Sequence, residues 1–288
     1  VTVKVALAQF SGNIDKEKNV EKAVGLAYEA AANGAKIICF PELCTTVYMP
    51  FENDARHFAS AEEVPGPSVN RMARVAQQTQ TVIVFPLFER AAGDYYNAAV
   101  VLGPDGRTIG KYRKSSIPTT QLISGGSEQF YFKPGDLGYP VFDTPFGLRI
   151  GIIICYDRNE VEPARCIGLN GADVLFVPVA TVAVTRPWWE VLLRAHAIHN
   201  LYYVAACNKV GFDIGGAPDE SYYGLSMFID PMGQVMTQAS ETQEQIIYAD
   251  LDPSVVREAR RKWTFYEDRR PELYGAIAEV SKVVRRLA

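Results

Sequence analysis

The apolar run VKVALAQF at 3–10 is too short for a stable helix and rich in strand-forming residues, so it reads as a buried strand. Val20, Ala23, Val24 and Ala27 then recur at helical spacing, and Gly34 supplies a stop. A strand AKIICF (35–40) follows, and a helical segment from Ser68 to Gln78 leads into the strand TVIVFPLFE (81–89). YNAAVVLGPDGRTIGKYRK (96–114) predicts two antiparallel strands joined at Pro104-Asp105-Gly106. The second half repeats the theme: LRIGIIIC, a helix from Glu162 to Leu169, ADVLFVPVA, a helix from Trp188 to Asn200, YYVAACNKV, and SMFIDPMGQVMTQ with a turn at Pro231 to Gly233. Apolar strands alternating with helices predict an α/β chain with antiparallel additions. No linker interrupts the pattern, so one domain is expected over 1–288. The Gly-rich and polar stretch from Thr119 to Gly138 reads as a functional loop rather than a boundary.

Composition narrows this picture. With 288 residues and 48% hydrophobic content the chain can bury one large core. A net charge of -4 and scattered basic residues offer no surface for nucleic acid, leaving a small neutral or anionic ligand. No apolar run approaches the ~20 residues that span a bilayer, and VTVKVALAQF lacks a charged leader with a cleavage site, so an unexported cytoplasmic protein is expected. Cys39, Cys44, Cys155, Cys166 and Cys207 are odd in number and lack the paired spacing of a zinc or redox centre. Histidine is scarce, with His57, His196 and His199 only, which leaves a Ser-His-Asp relay or a histidine-rich metal site few parts.

Three strand ends carry polar residues where an apolar run stops. In IICFPEL, Glu42 follows Pro41; read alone, it is more readily a surface carboxylate just past the core than a functional group. In GKYRKSSIP, Lys111, Arg113 and Lys114 precede a proline-marked bend, where basic residues are ordinarily solvated. In GIIICYDR, a strand too hydrophobic for a sheet edge delivers Cys155 to a chain turn, the place where α/β sheets gather ligands. Together the three types form a nucleophilic constellation. A thiol is mostly protonated at neutral pH and needs a base or a neighbouring cation. Glu42 supplies the first, Lys114 the second, and an ammonium also stabilises the oxyanion formed when sulfur attacks a carbonyl carbon.

FPEL at 40–43, YRKSSIP at 112–118 and CYDRNEVEPARC at 155–166 resemble the nitrilase, or carbon-nitrogen hydrolase, superfamily in order and spacing. GSEQFYFKPGDLGYPVFDTPFG, NGADVLFVPVA, YYVAACNKVG and DPMGQV extend the likeness over nearly the whole chain. The resemblance implies an α-β-β-α sandwich with mixed sheets, commonly extended across a dimer interface formed by one helical face. It also implies that Glu42 is the general base, Lys114 the oxyanion cation and Cys155 the nucleophile, with the Tyr156 N–H as second oxyanion donor. Glu128 falls where many members carry a further glutamate, which implies that it positions Lys114 and the substrate amine. The chemistry implied needs no metal and no organic cofactor, and the partner is a small molecule rather than nucleic acid or membrane.

Arg158, three residues past the nucleophile, can clamp a substrate carboxylate through paired hydrogen bonds or pair with Asp157, Glu160 or Glu162. Arginine there resembles the N-carbamoyl amino acid and N-carbamoyl-β-alanine hydrolases, which implies cleavage of a ureido group to an amino acid, carbon dioxide and ammonia. Two departures are Ser116, where many relatives carry histidine, and His199, where glutamate is frequent. The alternatives are an aliphatic amidase or nitrilase with a neutral substrate, an N-carbamoylputrescine-type amidase, and a binding module with an idle thiol. Of the remaining residues, Cys39 and Cys44 read as strand filler and loop thiol, at most one of Trp188 and Trp189 faces a pocket, and Asn208 reads as a strand-end hydrogen bonder. From about residue 262 the chain, including Arg269 and Arg270, reads as a C-terminal arm toward a neighbouring subunit.

Overall fold

The computed structural model describes residues 2–120, 125–217 and 220–279. Positions 121–124 of the expected functional loop and the end of the expected arm lie outside the described residues.

Two six-stranded mixed sheets are built on the same plan. The first takes β1 (Val3–Gln9), β2 (Ile37–Cys39), β3 (Val82–Ala91), β4 (Asp94–Leu102), β5 (Thr108–Arg113) and β14 (Gln245–Leu251), in the order β14-β1-β2-β3-β4-β5. Here β1, β2 and β3 are parallel and the outer pairings antiparallel. The second takes β6 (Val141–Asp143), β7 (Arg149–Ile152), β8 (Val174–Val179), β9 (Tyr203–Asn208), β12 (Met227–Ile229) and β13 (Val235–Gln238), in the order β13-β12-β9-β8-β7-β6. Its parallel trio is β7, β8 and β9. A small ribbon pairs β10 (Val210–Gly211) with β11 (Tyr222–Tyr223).

Side-chain alternation explains the layers. Val5, Leu7, Ile37, Cys39, Val82 and Val84 share a core with Ile150, Ile152 and Val204 of the second sheet. Their neighbours Ala6, Ala8, Ile38, Ile83 and Phe85 face the other way, onto α1 (Lys16–Ala32) and α2 (Pro67–Thr79). Successive strand residues point to opposite faces, so each strand serves both layers. Ala23, Ala27 and Ala30 give α1 a small-residue face against the sheet, and Asp15 caps it by accepting from Glu17 N–H at 3.0 Å. α4 (Val161–Leu169) and α5 (Arg186–Asn200) cover the second sheet, through Ala164, Ile167, Trp189, Leu193 and Ala197. The result is an α-β-β-α sandwich. The last strand, β14, returns to pair with β1, and is followed by α6 (Pro253–Lys262) and a segment whose Tyr266 hydroxyl donates to Asn200 O.

Candidate active site

The site lies where strand ends of the two sheets meet. Glu42 follows β2, and the chain bends sharply at Leu43, which takes a left-handed φ of 49°. Its carboxylate is fully buried and accepts from three groups: Asn97 Nδ2 of β4 at 2.7 Å and Lys114 Nζ at 3.2 Å on Oε1, and Ala180 N–H just past β8 at 2.9 Å on Oε2. Glu42 therefore ties one sheet to the other. Lys114 follows β5; its N–H donates to Asn97 O and its carbonyl accepts from Gly135 N–H at 2.7 Å. A Cβ on Gly135 would stand 2.2 Å from Arg113 O, so only glycine permits that approach. Lys114 Nζ reaches Glu128 Oε2 at 2.6 Å. Glu128 begins a single helical turn, α3 (Glu128–Tyr131), and its Oε1 accepts from the Tyr48 hydroxyl at 2.8 Å.

Cys155 stands beyond the end of β7, not on it: Ile153 still donates to Phe176 O, and a 3-10 turn over Cys155–Asn159 follows. Cys155 itself takes φ 48°. A non-glycine residue held there needs its surroundings to enforce it. Asp157 does so from inside the turn, accepting Ile154 N–H at 2.9 Å and the Tyr112 hydroxyl at 2.7 Å on Oδ2, and the Ser115 hydroxyl at 3.0 Å and Ser116 N–H at 2.7 Å on Oδ1.

Burial pushes the Cys155 thiol up and the charge of Glu42 adds to it, against the pull of Lys114 and Arg158, to about 12. The resting sulfur is a protonated thiol at neutral pH, so attack requires a base. Burial works against the Lys114 cation, but Glu128 and Glu42 outweigh it and hold the ammonium charged well above the ordinary lysine range. Burial raises Glu128, with Lys114 pulling down and Glu42 pushing up. A protonated thiol, a buried carboxylate and a permanent cation make a set for acyl transfer through sulfur.

The structure thus brings Glu42, Lys114, Glu128 and Cys155 together. Tyr156 follows Cys155 within the same 3-10 turn. Arg158 is buried beside them: Nη1 donates to Cys155 O at 2.7 Å and stands 3.6 Å from Cys155 Sγ, and Nη2 reaches Thr181 Oγ1 at 3.3 Å. Among the described residues it forms no ion pair with Asp157, Glu160 or Glu162, and its Nε has no hydrogen-bond partner. Lys111 and Arg113 instead pair with Glu89. Trp189 is buried, with Nε1 on Leu225 O, while Trp188 is exposed; Asn208 accepts Thr181 N–H at 3.0 Å. Cys39 and Cys44 are both buried in the core. Among the described residues the group with metal-ligating geometry is Glu52, Asp54 and His57, facing solvent; Asp54 already pairs with Arg56 and Glu52 with His57.

Three residues of the site do not stand out in the sequence. Asn97 is a lone amide in the apolar run of β4, which is its one visible signal. Asp157 reads there only as a surface partner for Arg158, and Tyr48 sits in a loop with no periodic mark.

The carbon-nitrogen hydrolase profile matches residues 4–261. An N-carbamoylputrescine amidase from Solanum lycopersicum is 34% identical over 96% of this chain and 94% of its own. A citrullinase from Francisella tularensis is 32% identical over 96% of this chain and 98% of its own. Among solved structures, a carbon-nitrogen hydrolase from Helicobacter pylori superposes with a TM-score of 0.89 at 30% identity, covering 97% of this chain and 99% of that one.

Proposed function

The chain belongs to the carbon-nitrogen hydrolase family, and from that premise we propose that it cleaves the ureido C–N bond of an N-carbamoyl amino acid. The observation that carries the chemistry is the buried set of Glu42, Lys114, Glu128 and Cys155. Glu42 takes the thiol proton as Cys155 Sγ attacks the carbamoyl carbon, and Lys114 Nζ with the Tyr156 N–H receives the negative oxygen. Glu42 returns the proton to the departing nitrogen, and ammonia leaves behind a thiocarbamate on Cys155. Glu42 then activates water to release the N-carboxy amino acid, which loses carbon dioxide. One ureide and one water give one amino acid, one carbon dioxide and one ammonia. Glu128 holds Lys114 and receives the substrate amine.

The carboxylate end is assigned to Arg158, because its guanidinium lies beside Cys155 Sγ with no acidic partner among the described residues. A likeness to a citrullinase, whose name denotes an acid-bearing ureide, agrees with this. One observation favours a second reading: Nη1 and Nη2 of Arg158 already brace Cys155 O and Thr181, as a purely structural arginine would, and the N-carbamoylputrescine amidase is similar to the chain over nearly its full length. In that reading the substrate is a cationic or neutral ureide or amide. Ammonia release from N-carbamoyl amino acids, N-carbamoyl-β-alanine, N-carbamoylputrescine, an aliphatic amide and a nitrile, with wild type and Arg158→Ala, separates the two. A KM for ureido acids raised by about tenfold or more in Arg158→Ala, with a neutral amide unaffected, supports the clamp; equal effects on all substrates refute it.

The same reading takes the chain as one domain over 1–288 with a C-terminal arm from about 262, and as a homodimer or higher oligomer through its α4/α5 face, where Val161, Leu169 and Val191 are exposed. Five unpaired cysteines fit a reducing cytoplasm.

A further inference from the structure

A second buried ion pair lies outside the four residues of the proposed mechanism. Lys209, at the end of β9, is fully buried and its Nζ stands 2.9 Å from Asp213 Oδ2 and 2.9 Å from Thr46 O. Asp213 is also buried and collects donors from Gly12 and Tyr48, far along the chain, as well as from Tyr222 and Lys209. Its Oδ1 accepts Gly12 N–H and Lys209, and its Oδ2 accepts Tyr48 N–H at 2.7 Å, the Tyr222 hydroxyl at 2.8 Å and Lys209. Burial works against this carboxylate, yet Lys209, Tyr48 and Tyr222 outweigh it and hold Asp213 below the usual range, so it stays ionised. A buried ion pair is a poor way to gain stability, since apolar replacements of similar volume often do as well. What it does give is position.

The position it fixes is that of Tyr48. The backbone of Tyr48 is tied to Asp213, and its hydroxyl donates to Glu128 Oε1 at 2.8 Å. The other oxygen of Glu128 holds Lys114 Nζ. Thr46, two residues earlier in the same loop, is tied to Lys209. The loop that follows Glu42 is therefore clamped at two points by one ion pair.

We propose that Lys209 and Asp213 form a positioning unit for catalysis, which acts through Tyr48 to fix Glu128 and, through Glu128, the ammonium of Lys114 where the oxyanion develops. This rests on the reading of Glu42, Lys114, Glu128 and Cys155 as the reacting set. Gly12 belongs to the unit by shape: a Cβ there would stand 2.8 Å from both Asp213 Oδ1 and Thr46 O. Gly12→Ala thus perturbs the unit without altering any group that faces the substrate.

The test uses the whole protein and two readouts. Steady-state kcat and KM are measured for Tyr48→Phe, Gly12→Ala and Asp213→Asn on whichever amide or ureide the wild type turns over. Alkylation of Cys155 by iodoacetamide, followed by mass spectrometry of its peptide, needs no substrate. Tyr48→Phe is expected to lower kcat by roughly ten- to a hundredfold, the range for losing a hydrogen bond to a charged group, with KM little changed. It also slows Cys155 alkylation at alkaline pH, where a displaced Lys114 no longer favours the thiolate. The titratable groups facing Glu128 are Lys114, Glu42, Tyr48 and Cys155, and of these Lys114 and Tyr48 favour its ionised form. Loss of the Tyr48 hydroxyl therefore moves the acid limb of kcat/KM to higher pH, which a merely structural role would not do. Gly12→Ala gives a smaller loss of kcat in the same direction. Asp213→Asn strands a buried lysine and lowers the melting temperature, so the two milder variants decide the matter. Wild-type kcat, pH profile and alkylation in both of them overturn the proposal. A wild type silent on every ureide, with alkylation still slowed in both Tyr48→Phe and Gly12→Ala, refutes the ureide assignment and leaves the positioning unit supported.

Discussion

At the scale of single residues, the resting thiol is the telling feature. A solvent-exposed cysteine reaches its maximal alkylation rate above its reference pKa of ~8.5, whereas Cys155, pushed up to about 12, has little thiolate at neutral pH. Its alkylation in the free enzyme is expected to rise about tenfold per pH unit through neutrality and past the point where an exposed thiol levels off. Glu42→Gln removes the largest charge opposing the thiolate, so it should speed alkylation at alkaline pH, where the thiolate forms without a base, while cutting turnover by roughly a hundredfold or more, the usual contribution of a positioned base. Turnover lost with alkaline alkylation kept or quickened would identify Glu42 as a base; alkaline alkylation slowed along with turnover would mark it as a brace. Cys155→Ala should abolish turnover. Asp157 carries a structural task instead. Asp157→Ala leaves Ile154 N–H, the Tyr112 and Ser115 hydroxyls and Ser116 N–H without their acceptor, a loss of about 3 kcal/mol or more measurable by urea unfolding.

At the scale of elements, the period-two and helical patterns locate most of the strands and helices, and strand ends point to Glu42, Lys114 and Cys155. β1, α2, α5 and the β4–β5 hairpin lie within a residue or two of the stretches their patterns predict. The strand leading to Cys155 is shorter than its apolar run, because Ile153 and Ile154 are buried in the short stretch between the end of β7 and the 3-10 turn. β14 and α6 are not legible in the pattern, since QIIYADL alternates only weakly and PSVVREARRK is dominated by charge. Tyr48 is hidden for another reason: its partners Asp213 and Glu128 lie far away along the chain, and a contact of that kind leaves no local periodicity. Gly135 is a position where element geometry makes a prediction. Gly135→Ala drives a Cβ into Arg113 O, so β5 or the chain beside Lys114 must shift, with a lower melting temperature and reduced kcat as the expected result.

At the scale of the whole molecule, α4, α5 and the segment after α6 surround a cavity of about 890 Å³, whose walls include Leu169, Leu192, Phe265 and Ile277. Together with the exposed Val161 and Val191 this is the apolar face assigned to self-association. Sedimentation of the wild type as a dimer or larger, and dissociation by Val191→Asp, is the expected outcome; a wild-type monomer would remove that assignment. The return of β14 to the edge of β1 has a consequence for biogenesis. As the chain leaves the ribosome, β1 emerges ahead of the other strands and its outer edge must wait for residues 245–251, the last strand of either sheet to be made. Until then a long, buried-type edge stands open to foreign strands, and Glu42, Lys114 and Cys155, drawn from both sheets, have only part of their final frame. Completion of the first sheet therefore waits on β14, so a chain cut short before it is a candidate for aggregation rather than a slower enzyme.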